Sequence, residues 1–197
     1  MIGFEIQFLF IIVLPFWLVY RVINCVLKTR GEKRFHLKRE LFVNVFFLYC
    51  LTVVGITFFP LFIGNDGLPG QFININYVPV INTLNELKGI HNSNIPIFML
   101  KFWFRNIVGN LVLLLPLGIF LPILWNWFRS LKAVVITGFL ISFFIEILQL
   151  LSVLIGNRGR AFDVDDLILN TIGVAIGYWI FFLFHNTINK SRRYDHG

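Results

Sequence analysis

The apolar residues of this chain run in uninterrupted stretches of about twenty, a length that carries a helix across a hydrocarbon core of roughly 30 Å. That pattern decides most of what the chain can fold into. Helices buried in soluble domains are shorter and keep a polar face. Composition agrees: 57% of the 197 residues are hydrophobic and 14% are charged, where a soluble domain carries about 25% charge. The sequence therefore predicts an all-α integral membrane helical bundle of about five transmembrane helices, at 4–27, 41–63, 107–125, 133–155 and 167–184. The first stretch does not read as a cleaved signal. It has no basic segment before it, carries its positive charges after it, and lacks a small-residue cleavage site.

Lys and Arg set the expected orientation, because cytoplasmic loops hold an excess of them. Arg21, Lys28, Arg30, Lys33, Arg34, Lys38 and Arg39 surround the first connection. Arg129 and Lys132 fall in the third-to-fourth connection, and Lys190, Arg192 and Arg193 in the tail. The opposite side holds only Lys88, Lys101, Arg105, Arg158 and Arg160. The expected arrangement puts the N-terminus outside and the C-terminus inside. The chain then divides into residues 1–63, two spans with a basic cytoplasmic loop, and 64–106, an extracytoplasmic loop. A core of three spans at 107–185 and a basic cytoplasmic tail at 186–197 complete it. In the outer loop Gly67-Leu-Pro-Gly70 is turn chemistry, and residues 74–79 read as extended. The stretch 95–104 either extends the third helix or lies at the interface, a zone that Trp103 favours.

The net charge of +7 does not point to nucleic acid, since the cations cluster at span ends without interleaved aromatics. Cys25 and Cys50 fall within spans and lack metal-ligand spacing, so they read as apolar fillers. No metal or cofactor is expected.

The informative residues are the polar ones inside the spans. Glu146 lies in the fourth helix, where a carboxylate is costly unless it is paired, protonated or facing a wet cavity. Gly138, Ser142, Glu146 and Gln149 share one face of that helix, and Asp166, Asn170, Gly173 and Gly177 share one face of the fifth. Small and polar stripes of this kind pack against other helices. Arg105, Asn106 and Asn110 start the third helix, and the connection that holds Arg158, Arg160, Asp163 and Asp165 is short. These residues are expected to meet near the outer leaflet as one polar cluster. Each also has a structural reading. Asp165 or Asp166 caps the fifth helix, Asn110 and Gln149 join helices by hydrogen bonds, or Glu146 pairs with Arg105.

At these positions the sequence resembles the VanZ-like family of small bacterial membrane proteins. The resemblance rests on Asn110-Leu-Val-Leu-Leu-Leu-Pro116-Leu-Gly118 and Glu146-Ile-Leu-Gln149. It continues through Arg158 or Arg160, Asp163-Val-Asp165-Asp166, Asn170-Thr-Ile-Gly173 and Gly177, with Asn76-Tyr-Val-Pro79 ahead of the core. It implies a multi-pass protein of the bacterial plasma membrane, linked to the cell envelope and to low-level resistance to the lipoglycopeptide teicoplanin. The partners it implies are membrane lipid and a lipid-linked cell-wall precursor or lipoglycopeptide. Arg158 and Arg160 would then face an anionic group such as pyrophosphate, and Asn110, Gln149 and Asn170 would supply neutral hydrogen bonds. A second expectation is an embedded enzyme acting on such a lipid. Glu146 would be its base, or the carboxylates would hold a hard divalent cation. A third, an ion-coupled carrier, is disfavoured by five spans without an inverted repeat.

Overall fold

The computed structural model describes residues 2–30, 36–63, 75–76, 96–154 and 162–194. Five of its helical segments are long and apolar enough to cross a membrane: Ile6–Arg30, Leu37–Phe58, Trp103–Leu124, Leu131–Val153 and Val164–Thr187. The predicted all-α membrane bundle is what forms. Large apolar side chains such as Ile11, Phe16, Phe144 and Phe184 lie more than half exposed, which suits a lipid solvent and not water. The chain separates into two compact units, Met1–Gln71 with Ser152–Gly159, and Phe72–Leu151 with Arg160–Gly197.

The first unit contains β1 (Ile2–Phe4), α1 (Ile6–Arg30), α2 (Leu37–Phe58) and β2 (Leu61–Ile63). Pro15 sits inside α1 without ending it, as membrane helices permit. α2 stops where the N–H of Phe59 closes on the Gly55 carbonyl at 3.0 Å, just before Pro60. β2 then pairs antiparallel with β1, Gly3 opposite Phe62. The Trp17 ring stacks on Phe47 with centroids 3.8 Å apart, joining α1 to α2. Its indole N–H, which hydrocarbon cannot satisfy, donates to Asn44 Oδ1 at 3.2 Å. Toward the basic ends of these helices, Arg21 and Lys28 both donate to the Glu40 carboxylate.

The second unit contains β3 (Ile75–Asn76), α3 (Pro96–Leu113), α4 (Leu115–Leu124), a 3-10 turn at Asn126–Arg129, most of α5 (Leu131–Leu154), β4 (Phe162–Asp163) and α6 (Val164–Tyr194). The sequence gives the third span as 107–125, with 95–104 either extending it or lying at the interface. The structure takes the first option, starting the helix at Pro96, and breaks the span at Leu114. Pro116 is the cause. It has no N–H for the preceding turn and its ring crowds the carbonyl four residues back, and here it stands in the first turn of a new helix. Ser130 starts α5 by accepting the Ala133 N–H at 3.2 Å.

α6 lies against α3 and α4 with backbone touching backbone. A Cβ placed on Gly173 would collide with the Leu111 carbonyl oxygen, and one on Gly177 with that of Leu115. Gly118 faces the Val174 carbonyl in the same way. The small residues thus let three helices approach more closely than any larger side chain allows. On the α5 side, a Cβ at Gly138 would fall 2.6 Å from Val174 Cγ2. Leu114, Val134 and Val174 form the fully buried apolar centre. The hydroxyl of Tyr178 ties α6 to the turn by donating to the Arg129 carbonyl at 2.6 Å.

Candidate functional site

A carboxylate within a membrane helix must find donors in the protein, because hydrocarbon supplies none. Glu146 on α5 is 1% exposed, and its Oε2 accepts the backbone N–H of Asp163 at 2.9 Å. Asp163 belongs to β4, whose parallel partner is β3 with Asn76 opposite Asp163. Ile75 and Asn76, from the segment that the sequence reads as extended, therefore pair beside the cluster. Asp163 Oδ1 in turn accepts the Asp165 N–H at 2.8 Å. Asp163, not Asp165 or Asp166, is the residue that caps α6. Asp165 and Asp166 occupy the first turn, where the positive end of the helix dipole favours a negative charge.

The same turn is joined to α3. Nδ2 of Asn110 donates to Asp166 Oδ1, and both side chains are partly buried. One turn farther along α6, Asn170 is 1% exposed and its Nδ2 donates to Ser142 Oγ at 3.0 Å. Ser142 is fully buried and lies one turn before Glu146 on α5. The predicted polar stripes on α5 and α6 thus face each other. The Asn170 amide has a second end, however, and Oδ1 meets no donor among the described residues. A buried acceptor left this way costs about 1–3 kcal/mol, and native folds retain few of them.

Next to these groups lies a cavity of about 160 Å³. Trp103, Asn106 and Ile107 of α3 form one wall, and Asp163, Asp165, Asp166 and Ile168 form the other. Its lining combines an aromatic face, apolar surface and carboxylates, a mixture suited to a ligand with a donor-rich head and an apolar part.

Of the other sequence-predicted residues, Arg105 is exposed and Gln149 is half-buried one turn beyond Glu146. No ion pair joins Arg105 to Glu146 among the described residues. Arg158 and Arg160 lie outside the described residues, as does most of the stretch 64–106 that the sequence reads as an outer loop. Among the described residues, no group of three or more His, Cys, Asp or Glu is arranged to hold a metal ion. Glu146, Asp163 and Asp166 each accept a hydrogen bond. Two contributors were not singled out as site residues from the sequence. Ser142 reads there only as part of a packing stripe, although its spacing from Glu146 places it on the right face. Trp103 reads as an interface aromatic, and nothing in its local sequence points to a cavity wall.

A family model described as VanZ/LLP1 matches residues 46–185. That range is more than half of the chain and includes every residue of the cluster. No curated protein and no solved structure matches the chain.

Proposed function

The chain belongs to the VanZ/LLP1 family, and from that premise we propose that it serves the cell envelope from the bacterial plasma membrane. In this reading its polar cluster opens to the outer leaflet and engages the head of a lipid-linked cell-wall intermediate or of a lipoglycopeptide such as teicoplanin. The unmet acceptor on Asn170 carries the proposal. It is buried on α6 one turn beyond Asp166, and Asp166 lines a cavity bounded by carboxylates and apolar side chains. Both ligand classes join an apolar tail to a head rich in hydroxyl and amide N–H donors, and such a head supplies what the carboxylates and Asn170 accept. Arg158 and Arg160 would add the charge that a pyrophosphate requires.

Teicoplanin and vancomycin inhibitory concentrations in a deletion strain test this reading. The strain would express wild type, Glu146→Ala or Asp166→Ala at levels matched by membrane immunoblot. Selective protection against teicoplanin by wild type, lost in both variants, is the expected result. Equal protection by the variants would reduce the cluster to a structural role. Absence of protection by wild type would separate this chain from resistance and leave binding of a lipid-linked precursor as the measurement to make.

A further inference from the structure

We propose that the first unit carries a separate site for the phosphate head of an anionic phospholipid, in the groove between α1 and α2 at their basic ends. The residues concerned lie between 18 and 44, ahead of position 46 where the family match begins. The inference is therefore independent of the family and of the cluster described above.

Arg21 and Lys28 stand two turns apart on one face of α1, and both donate to Glu40 of α2. The three side chains are 18%, 29% and 11% exposed. Two cations against one carboxylate leave one positive charge over. Donors are also left over. Arg21 commits Nη2 to Glu40 out of five guanidinium N–H bonds, and a lysine ammonium has three. Glu40 acts as the positioning residue, drawing two flexible cations to one point where they can grip an anion together. The guanidinium is further fixed by its place over the Trp17 ring, 5.7 Å from the centroid.

These groups line a cavity of about 340 Å³ together with Asn24 and Asn44. Its rim is apolar, formed by Leu18, Val22 and Leu41, each more than half exposed. On a membrane helix such exposed side chains face acyl chains. The polar floor is thus reached from the lipid side, with apolar surface continuing away from it. That combination fits a molecule with a head and a tail better than a free ion. The depth fits as well, since helix ends lie at the level of the headgroups. The charge left over on Arg21 and Lys28 favours an anionic head. A zwitterionic head brings its own cation into a positive groove and is disfavoured.

The test is native mass spectrometry of the full-length protein released from micelles holding equal phosphatidylglycerol and phosphatidylcholine. Wild type should retain phosphatidylglycerol with a preference of about tenfold, the scale of one charge-assisted hydrogen bond. The variant Arg21→Gln/Lys28→Gln/Glu40→Gln leaves no buried charge unpaired, so it preserves the fold, and its preference should fall to near unity. The variant Lys38→Gln/Arg39→Gln removes two exposed charges and should keep the preference. Three outcomes would overturn the proposal: no preference in wild type, equal loss in the exposed-charge variant, or an unchanged preference in the triple variant. Displacement of the lipid by inorganic phosphate at equal concentration would assign the groove to a free anion and equally refute a lipid site.

Discussion

At Asn170 the two ends of one amide behave differently, and the difference separates a structural residue from a binding one. Nδ2 reaches Ser142, while Oδ1 is buried without a donor among the described residues. Asn170→Leu keeps a similar volume and removes the unmet acceptor. Ser142 can then turn its hydroxyl to a carbonyl of its own helix. Thermal unfolding in micelles should show unchanged or greater stability, by up to about 1–3 kcal/mol, while teicoplanin protection is lost. A less stable variant that still protects would make Asn170 interhelical glue. The Asn110–Asp166 contact asks for a different measurement, because both partners are polar and partly buried. A double-mutant cycle on Asn110→Ala and Asp166→Ala should give a coupling of about 1–3 kcal/mol. A value near zero would leave the two side chains as neighbours only. Glu146, Asp166, Asn110 and Asn170 were legible in the sequence, because a polar group in an apolar helix is costly enough to need a reason. Their partners were not. Helical spacing names a face but not the rotation of that face against its neighbour, so the Glu146–Asp163 and Asn170–Ser142 pairs had to be seen.

Among the elements, α6 is held by absence of side chains. Gly173 and Gly177 meet the carbonyls of Leu111 and Leu115 directly, so Gly177→Ala must push α6 away from α4. Overpacking of this kind costs about 1–3 kcal/mol. Gly109 on α3 has nothing within 4 Å of its would-be Cβ. Gly109→Ala should therefore be neutral or stabilising by about 1 kcal/mol, the difference in helix propensity. Unfolding of the two variants under one condition distinguishes close packing from a general intolerance of alanine. The glycine stripe itself was visible at i and i+4 spacing. The break at Leu114 was less so. Apolar side chains continue without interruption from Leu111 to Leu115, and a pattern of hydrophobicity is blind to the missing N–H of Pro116. The start of α3 at Pro96 was one of two options in the sequence, because Ile, Phe, Met and Trp serve an interfacial helix and a spanning one equally.

For the molecule as a whole, the five spans follow from hydrophobic length, a property that lipid tests residue by residue along the chain. Orientation rests on a different quantity, the asymmetry of Lys and Arg between the two sides, and it decides whether the polar cluster faces the outer leaflet at all. Single cysteines answer the question. In a chain freed of Cys25 and Cys50, a cysteine at His91 should react with a membrane-impermeant maleimide in intact cells, and one at His36 should not. Inverted vesicles should reverse the two. His36 precedes α2 on the basic side, and His91 belongs to the stretch before α3. Because α3 contributes Asn110 and Trp103 to the cluster and its cavity, labelling at His91 reports the side from which a head group would enter. The reverse pattern would leave the hydrogen-bonded cluster intact but turn it to the cytoplasm. An outer-leaflet ligand such as teicoplanin could not reach it there, and the same acceptors would have to serve a ligand supplied from within.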